Sequence, residues 1–109
     1  MKILKFKSEL CEQILSGEKT ATWRLFDDKD LQKGDEIQFV NKETGSPIGV
    51  GKIINLKVTT LGNLEEQDWD GHETYTSEEQ MYKTYKGYYG EKVGPSSELK
   101  IINFSFHPL

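Results

Sequence analysis

The chain has 109 residues, with fourteen Lys and Arg against eighteen Asp and Glu, for a formal charge of −4. That length supports a single domain over residues 1–109, and the acidic balance speaks against holding duplex DNA by phosphate neutralisation. Cys11 is the only cysteine, which excludes an internal disulfide and any multi-cysteine metal centre, and no run nears the ~20 apolar residues of a membrane span, so a cytoplasmic protein without signal peptide or membrane anchor is expected.

Alternation from Met1 to Lys7 predicts a first strand around Ile3 to Phe6. Ser8 then offers a cap for a short helix over residues 9–16, with Leu10, Ile14 and Leu15 at helical spacing and Gly17 as its left-handed stop. β-Branched and aromatic residues return from Thr20 to Leu25 as a second strand, followed by a polar loop around Asp27, Asp28 and Asp30 that closes at Lys33-Gly34-Asp35. Ile37, Phe39 and Val40 begin an antiparallel hairpin whose turn is Asn41 to Pro47. Its return strand carries Ile48, Val50, Ile54, Leu56 and Val58 at one parity, so these are expected on one face, while Gly49 and Gly51 mark a bend or barrel corner. An acidic stretch, Leu64 to Glu73, reads as a helical turn and loop. Thr76 with Glu79, or Ser77 with Gln80, caps a second helix bearing Met81, Tyr82 and Tyr85 and ended by Gly87 and Gly90. A last strand lies within Ser97 to Phe106, with Ile102, Phe104 and Phe106 on one face. The sum is an α+β domain on a small curved sheet or barrel with short flanking helices.

Common catalytic motifs fail on spacing. Gly45 to Gly51-Lys52 has one residue too many for a phosphate loop, lacks the following Ser or Thr and lies in a strand. His72 and His107 have no partner histidine at helical spacing, so neither a metal nor another cofactor is expected. The stretch Leu15-Ser-Gly-Glu-Lys-Thr-Ala-Thr-Trp-Arg24 differs: it crowds a lysine, two threonines and an arginine into the turn between a helix and a strand.

There the sequence resembles the ASCH domain family of the PUA-like superfold, whose helix ends in Gly-x-Lys before a strand bearing Thr and Arg. Gly17, Lys19, Thr22 and Arg24 match, and the likeness runs on through Lys33-Gly34-Asp35, the acidic stretch, and Ser77-Glu78-Glu79 to Tyr89-Gly90. The resemblance implies a small curved antiparallel β-barrel with two or three short helices and a cleft for a nucleoside, nucleotide or single-stranded RNA. One branch of that family removes the acetyl group of N4-acetylcytidine with a Lys, a Thr three residues later and a later Glu. On this chain those are Lys19, Thr22 and Glu79, with Glu78 one residue away as the alternative carboxylate. Trp23-Arg24-Leu25-Phe26 and Asp68-Trp69-Asp70-Gly71-His72-Glu73 depart from that branch.

Amide hydrolysis needs a nucleophile, a base and a donor for the developing oxyanion. Thr22 and Arg24 share one side of their strand, so Lys19 must reach Thr22 from the turn, where its amine, shielded beside Arg24, would serve as the general base. Glu79 would orient Lys19 from across the cleft or hydrogen-bond the exocyclic nitrogen of a cytosine, and Arg24, Trp69 and Tyr82 would contact the substrate. Trp23, at the opposite parity, is expected in the core. A monomeric amidohydrolase, a non-catalytic RNA-binding module and a small single-strand ribonuclease are the three functions left open.

Overall fold

The computed structural model describes residues 1–109. Strands β1 (Lys2–Phe6), β2 (Ala21–Leu25), β3 (Glu36–Asn41), β4 (Pro47–Thr60), β5 (Glu98–Phe104) and β6 (His107–Pro108) form one six-stranded sheet, with helices α1 (Ser8–Ser16) and α2 (Glu78–Tyr89) against it. The strand order is β1-β3-β4-β5-β2, with β6 added to β4. The pairs are antiparallel except β1 with β3, which run parallel because α1 and β2 intervene between them in the chain.

The sheet curls into an open half-barrel because β4 serves two neighbourhoods. Its first part pairs with β3 and β6, its second with β5, and a bulge between Ile53 and Asn55 marks the change. That bulge also corrects the parity expected along this strand: Ile53 is buried at 1% exposure, whereas Ile54 stands 55% exposed; Val58 shares the side of Leu56 but lies past the end of the first core and is 51% exposed. Gly49 and Gly51 have a different purpose from a simple bend. A Cβ on either would collide with backbone of the returning segment, Ser105 at Gly51 and His107 at Gly49, so the glycines let the C-terminal strand lie across the corner.

Period-two alternation on β5 divides the interior into two clusters. Ile102 and Phe104 join Leu4, Phe6, Cys11, Ile14, Ile37, Phe39 and Ile53 on the side covered by α1. Leu99 and Ile101 join Trp23, Leu25, Leu61, Met81 and Tyr85 on the side covered by α2. Ser77 caps α2 by accepting from the Gln80 N–H at 3.1 Å, and Gln80 Oε1 accepts from the Thr76 N–H at 2.8 Å, which leaves Glu79 without a capping role. Gly87 does not end α2; its φ is not left-handed, and the helix runs on to Tyr89 before Gly90 (φ 96°) stops it.

β1 and β2 are the two edges of the path, so the half-barrel stays open along a seam between them. Arg24 reaches across this seam, its Nη2 donating to the Lys5 carbonyl at 3.1 Å. On the same open edge the Leu25 N–H donates to the Tyr89 hydroxyl at 3.3 Å, so that tyrosine points inward instead of to solvent.

Candidate functional site

The seam holds a cleft of about 320 Å³. Thr22 and Arg24 of β2 line it with Glu73; Lys5, Phe6 and Lys7 come from β1 and its end; Lys42 comes from the β3–β4 turn; Tyr85, Gly87, Tyr88 and Tyr89 form the α2 wall. Thr22 and Arg24 do share one side of β2; Trp23 between them borders the cleft, but it is 2% exposed and packs in the second core.

The floor is organised by a lysine that is not on the surface. Lys19 follows Gly17, whose left-handed backbone (φ 86°) ends α1 and turns the chain back so that the Lys19 N–H donates to the Gln13 carbonyl at 3.0 Å. Its side chain is 1% exposed, beneath the cleft, and Nζ donates to the Ala21 carbonyl at 2.7 Å and to Glu73 Oε2 at 2.6 Å. Burial pushes the Lys19 amine below its ordinary value, an effect that the Glu73 charge opposes. Burial likewise opposes the charge on Glu73, yet the charge that His72 gains in acid, and that of Lys19, hold its carboxyl below the ordinary glutamate value. Withdrawing such a pair from water costs several kcal/mol per ion. A buried ion pair at the base of an open cleft is therefore poorly explained by stability alone.

Glu73 arrives there through Gly71. The Gly71 carbonyl accepts the N–H groups of Thr20 at 2.9 Å and Ala21 at 3.1 Å, pinning the 70–73 loop against the start of β2. At φ 76° and with Thr20 against the place a Cβ would occupy, this position requires glycine. His72 is fixed by the same contact. Its ring stacks on Trp23 at 3.9 Å and 13°, Nδ1 lies 2.7 Å from the Glu73 carbonyl, and Nε2 lies 3.3 Å from the Tyr85 hydroxyl. Nδ1 therefore carries the hydrogen and Nε2 accepts from Tyr85. Burial, then the Lys19 charge, lowers its pKa to about 4, so His72 is neutral at pH 7.

Of the residues expected from the sequence, the structure gathers Lys19, Thr22 and Arg24 but not Glu79, Trp69 or Tyr82. Glu79 is exposed on the outer side of α2, beside Tyr82, Lys83 and Lys86 in a separate shallow hollow. The reason is helical geometry: the cleft is walled by Tyr85, Tyr88 and Tyr89, Glu79 falls on another face of α2, and Tyr82, although in line with Tyr89, lies about two turns before it and packs against the second core. Glu78 borders another hollow with Trp69, Tyr75 and Met81. Trp69 packs edge-on against Trp23 at 4.7 Å, so it is part of the second core. The carboxylate at the cleft is Glu73, a residue whose only local mark in the sequence is the glycine two positions before it. Arg24 does not pair with Asp27, which instead binds Lys100 at 2.7 Å. The guanidinium lies 4.7 Å from the Phe6 ring, and its Nε is buried without a hydrogen-bond partner. No group of three or more His, Cys, Asp or Glu side chains is arranged to hold a metal ion, and no helix is long and apolar enough to cross a membrane.

This architecture has solved counterparts. An ASCH domain from Lactobacillus crispatus JV V101 superposes with a TM-score of 0.71 at 17% identity, over 99% of this chain and 81% of its own. The chain has the ASCH-domain fold. A DUF984 protein from Enterococcus faecalis V583 gives a TM-score of 0.79 at 18% identity, covering 99% of this chain and 80% of that one. The ASCH protein of Zymomonas mobilis gives 0.60 at 18%, covering 97% and 68%. No family model and no curated protein matches the sequence.

Proposed function

We propose that the seam cleft of this ASCH-fold protein binds a nucleoside or nucleotide and hydrolyses the exocyclic amide of N4-acetylcytidine. The observation that carries this reading is the buried Lys19–Glu73 pair, 2.6 Å apart, at the base of a cleft that Thr22 also lines. The Thr22 hydroxyl makes no hydrogen bond within the protein, although the residue is only 5% exposed. It is thus free to act on whatever occupies the cleft. The Tyr88 and Tyr89 rings supply a wall on which a base can stack.

In this scheme the Thr22 oxygen adds to the acetyl carbonyl carbon while Glu73 takes its proton. The tetrahedral oxyanion then collapses, the bond from carbon to N4 breaks, and N4 leaves with the proton from Glu73 to give cytidine. Water, deprotonated by the same carboxylate, attacks the acetyl ester on Thr22; the bond from carbon to the Thr22 oxygen breaks, acetate is released, and the proton passes from Glu73 to that oxygen, restoring both groups. Lys19 acts through Glu73, keeping that carboxylate ionised between proton transfers, and is a positioning residue. Arg24 supplies donors on the ligand side of the floor. The protein is read as a cytoplasmic monomer using no cofactor.

The test is to incubate the purified protein with N4-acetylcytidine and, separately, with labelled single-stranded RNA, following both by chromatography. Cytidine and acetate with intact RNA are expected. Shortened RNA with intact nucleoside would replace this reading with a ribonuclease, and bound but unchanged RNA with intact nucleoside would replace it with a binding module.

A further inference from the structure

The cleft rim has a charge opposite to that of the chain. Its lining includes Lys5, Lys7, Arg24 and Lys42 against one carboxylate, Glu73, and Lys19 already neutralises that one. None of Lys5, Lys7 and Lys42 makes a salt bridge, so their charges are left for a ligand or solvent. Three unpaired lysines thus share one cleft mouth in a protein with four more acidic than basic residues.

The backbone brings them together. The Lys42 N–H donates to the Phe6 carbonyl at 2.9 Å, tying the β3–β4 turn to the end of β1 that carries Lys5 and Lys7. The acid next to Lys42, Glu43, is turned away and accepts from the Ser8 backbone and hydroxyl. Lys7 and Lys42 both stand over the exposed Tyr88 ring, with Nζ 5.9 and 5.6 Å from its centroid. Inside this ring of charge lies the Arg24 guanidinium, whose buried Nε has no partner within the protein.

Resting on the ligand class assigned above, we propose that Lys5, Lys7 and Lys42 form an anion subsite for the phosphate of the bound nucleotide. The protein then selects a phosphorylated cytidine, free or within an RNA strand, over the free nucleoside. Tyr88 is placed to carry the sugar or base between the phosphate at the rim and the reacting amide at Thr22 and Glu73. Three lysine contacts to a phosphate would also make affinity fall with salt.

The experiment measures binding by calorimetry for cytidine, cytidine 5′-monophosphate, cytidine 3′-monophosphate and a short cytidine-containing single-stranded RNA, at low and high salt. The wild type is compared with K42Q alone and with the triple variant K5Q/K7Q/K42Q. At least a tenfold preference for a monophosphate or the RNA over cytidine is expected, shrinking with salt and lost in the triple variant while cytidine affinity stays the same. Preference for the monophosphates identifies a free nucleotide as the source of the phosphate, and preference for the RNA alone identifies a strand; both support the subsite. Equal affinities in the wild type, or a preference that survives the triple substitution, would overturn the subsite and leave the amidase reading in place. Failure of all four to bind the wild type would overturn both. The wild-type salt dependence decides the matter even if the triple variant does not fold.

Discussion

Between pH 6.5 and 5 the stability of this protein is expected to fall because of one residue. His72 is 1% exposed in its side chain, and its pKa drops from 6.5 to about 4. Below pH 6.5 the unfolded chain therefore takes up a proton that the folded protein refuses, so acid favours unfolding, and the loss is complete near pH 4. At about 1.4 kcal/mol per tenfold change in proton affinity, the gap corresponds to roughly 3 kcal/mol. That is a large share of the roughly 5 to 15 kcal/mol that holds a domain together. In a domain of this size it amounts to a melting-temperature drop on the order of 10 to 20 °C. The carboxyls of Asp27, Asp68 and Glu73 are held below their ordinary values of 3.8, 3.8 and 4.5, so they contribute acid lability mainly at the lower end of the range. Urea unfolding followed by tryptophan fluorescence at pH 7, 6 and 5 isolates the histidine. His72→Phe keeps a ring against Trp23 and cannot titrate; it should be less stable at pH 7 through two lost hydrogen bonds, by about 1 to 3 kcal/mol, yet show a flattened acid slope. The same slope in variant and wild type would refute the assignment.

Three substitutions probe the floor and wall of the cleft. Thr22→Val keeps shape and removes the hydroxyl, so N4-acetylcytidine should still bind while turnover falls at least about a thousandfold; a loss of only fivefold to tenfold would mean that water is activated directly and Thr22 merely donates one hydrogen bond. Lys19→Met leaves Glu73 without its cation, which should lower stability by about 3 kcal/mol, the low end for a buried pair because Glu73 is 20% exposed. It should also move the acid limb of the pH–rate profile upward, and an unmoved limb would reduce Lys19 to a structural role. Gly87→Ala should raise the melting temperature, because alanine is favoured over glycine inside a helix by about 1 kcal/mol and nothing lies within 4 Å of the added Cβ. The same variant should weaken ligand binding, since Gly87 lines the cleft; stabilisation with unchanged affinity would show that the missing side chain is not there to make room.

Local pattern carried most of the fold and half of the site. Alternation placed Thr22 and Arg24 on one side of β2 and Trp23 in the core, because side-chain direction along a strand is fixed by its period of two. The same rule misplaces Ile54, since the extra residue of a bulge reverses parity and nothing at Ile54 announces one. Gly17 marks the end of α1, but Gly87 looks like a stop and is not, because its backbone is not left-handed and the helix runs on to Tyr89. Lys19 is legible in the sequence as a candidate but not as the buried residue it is. Its burial depends on Glu73, fifty-four positions away, and the Gly71 carbonyl that brings the loop in is a backbone contact with no residue-type signature beyond the glycine itself. Glu79 had good local credentials on its helix, and only the rotation of α2 about its axis, set by Met81 and Tyr85 packing on Trp23 and Leu99, decides that it faces away.

Which carboxylate serves the cleft is the point on which catalysis here stands or falls. The direct measurement is acetate release from N4-acetylcytidine by the wild type, Glu73→Gln and Glu79→Gln under identical conditions. Loss of the general base should cost roughly a hundredfold to ten-thousandfold. Glu73→Gln is expected to fall by that factor with Glu79→Gln indistinguishable from wild type, whereas an active Glu73→Gln, or a dead Glu79→Gln, would contradict the site described.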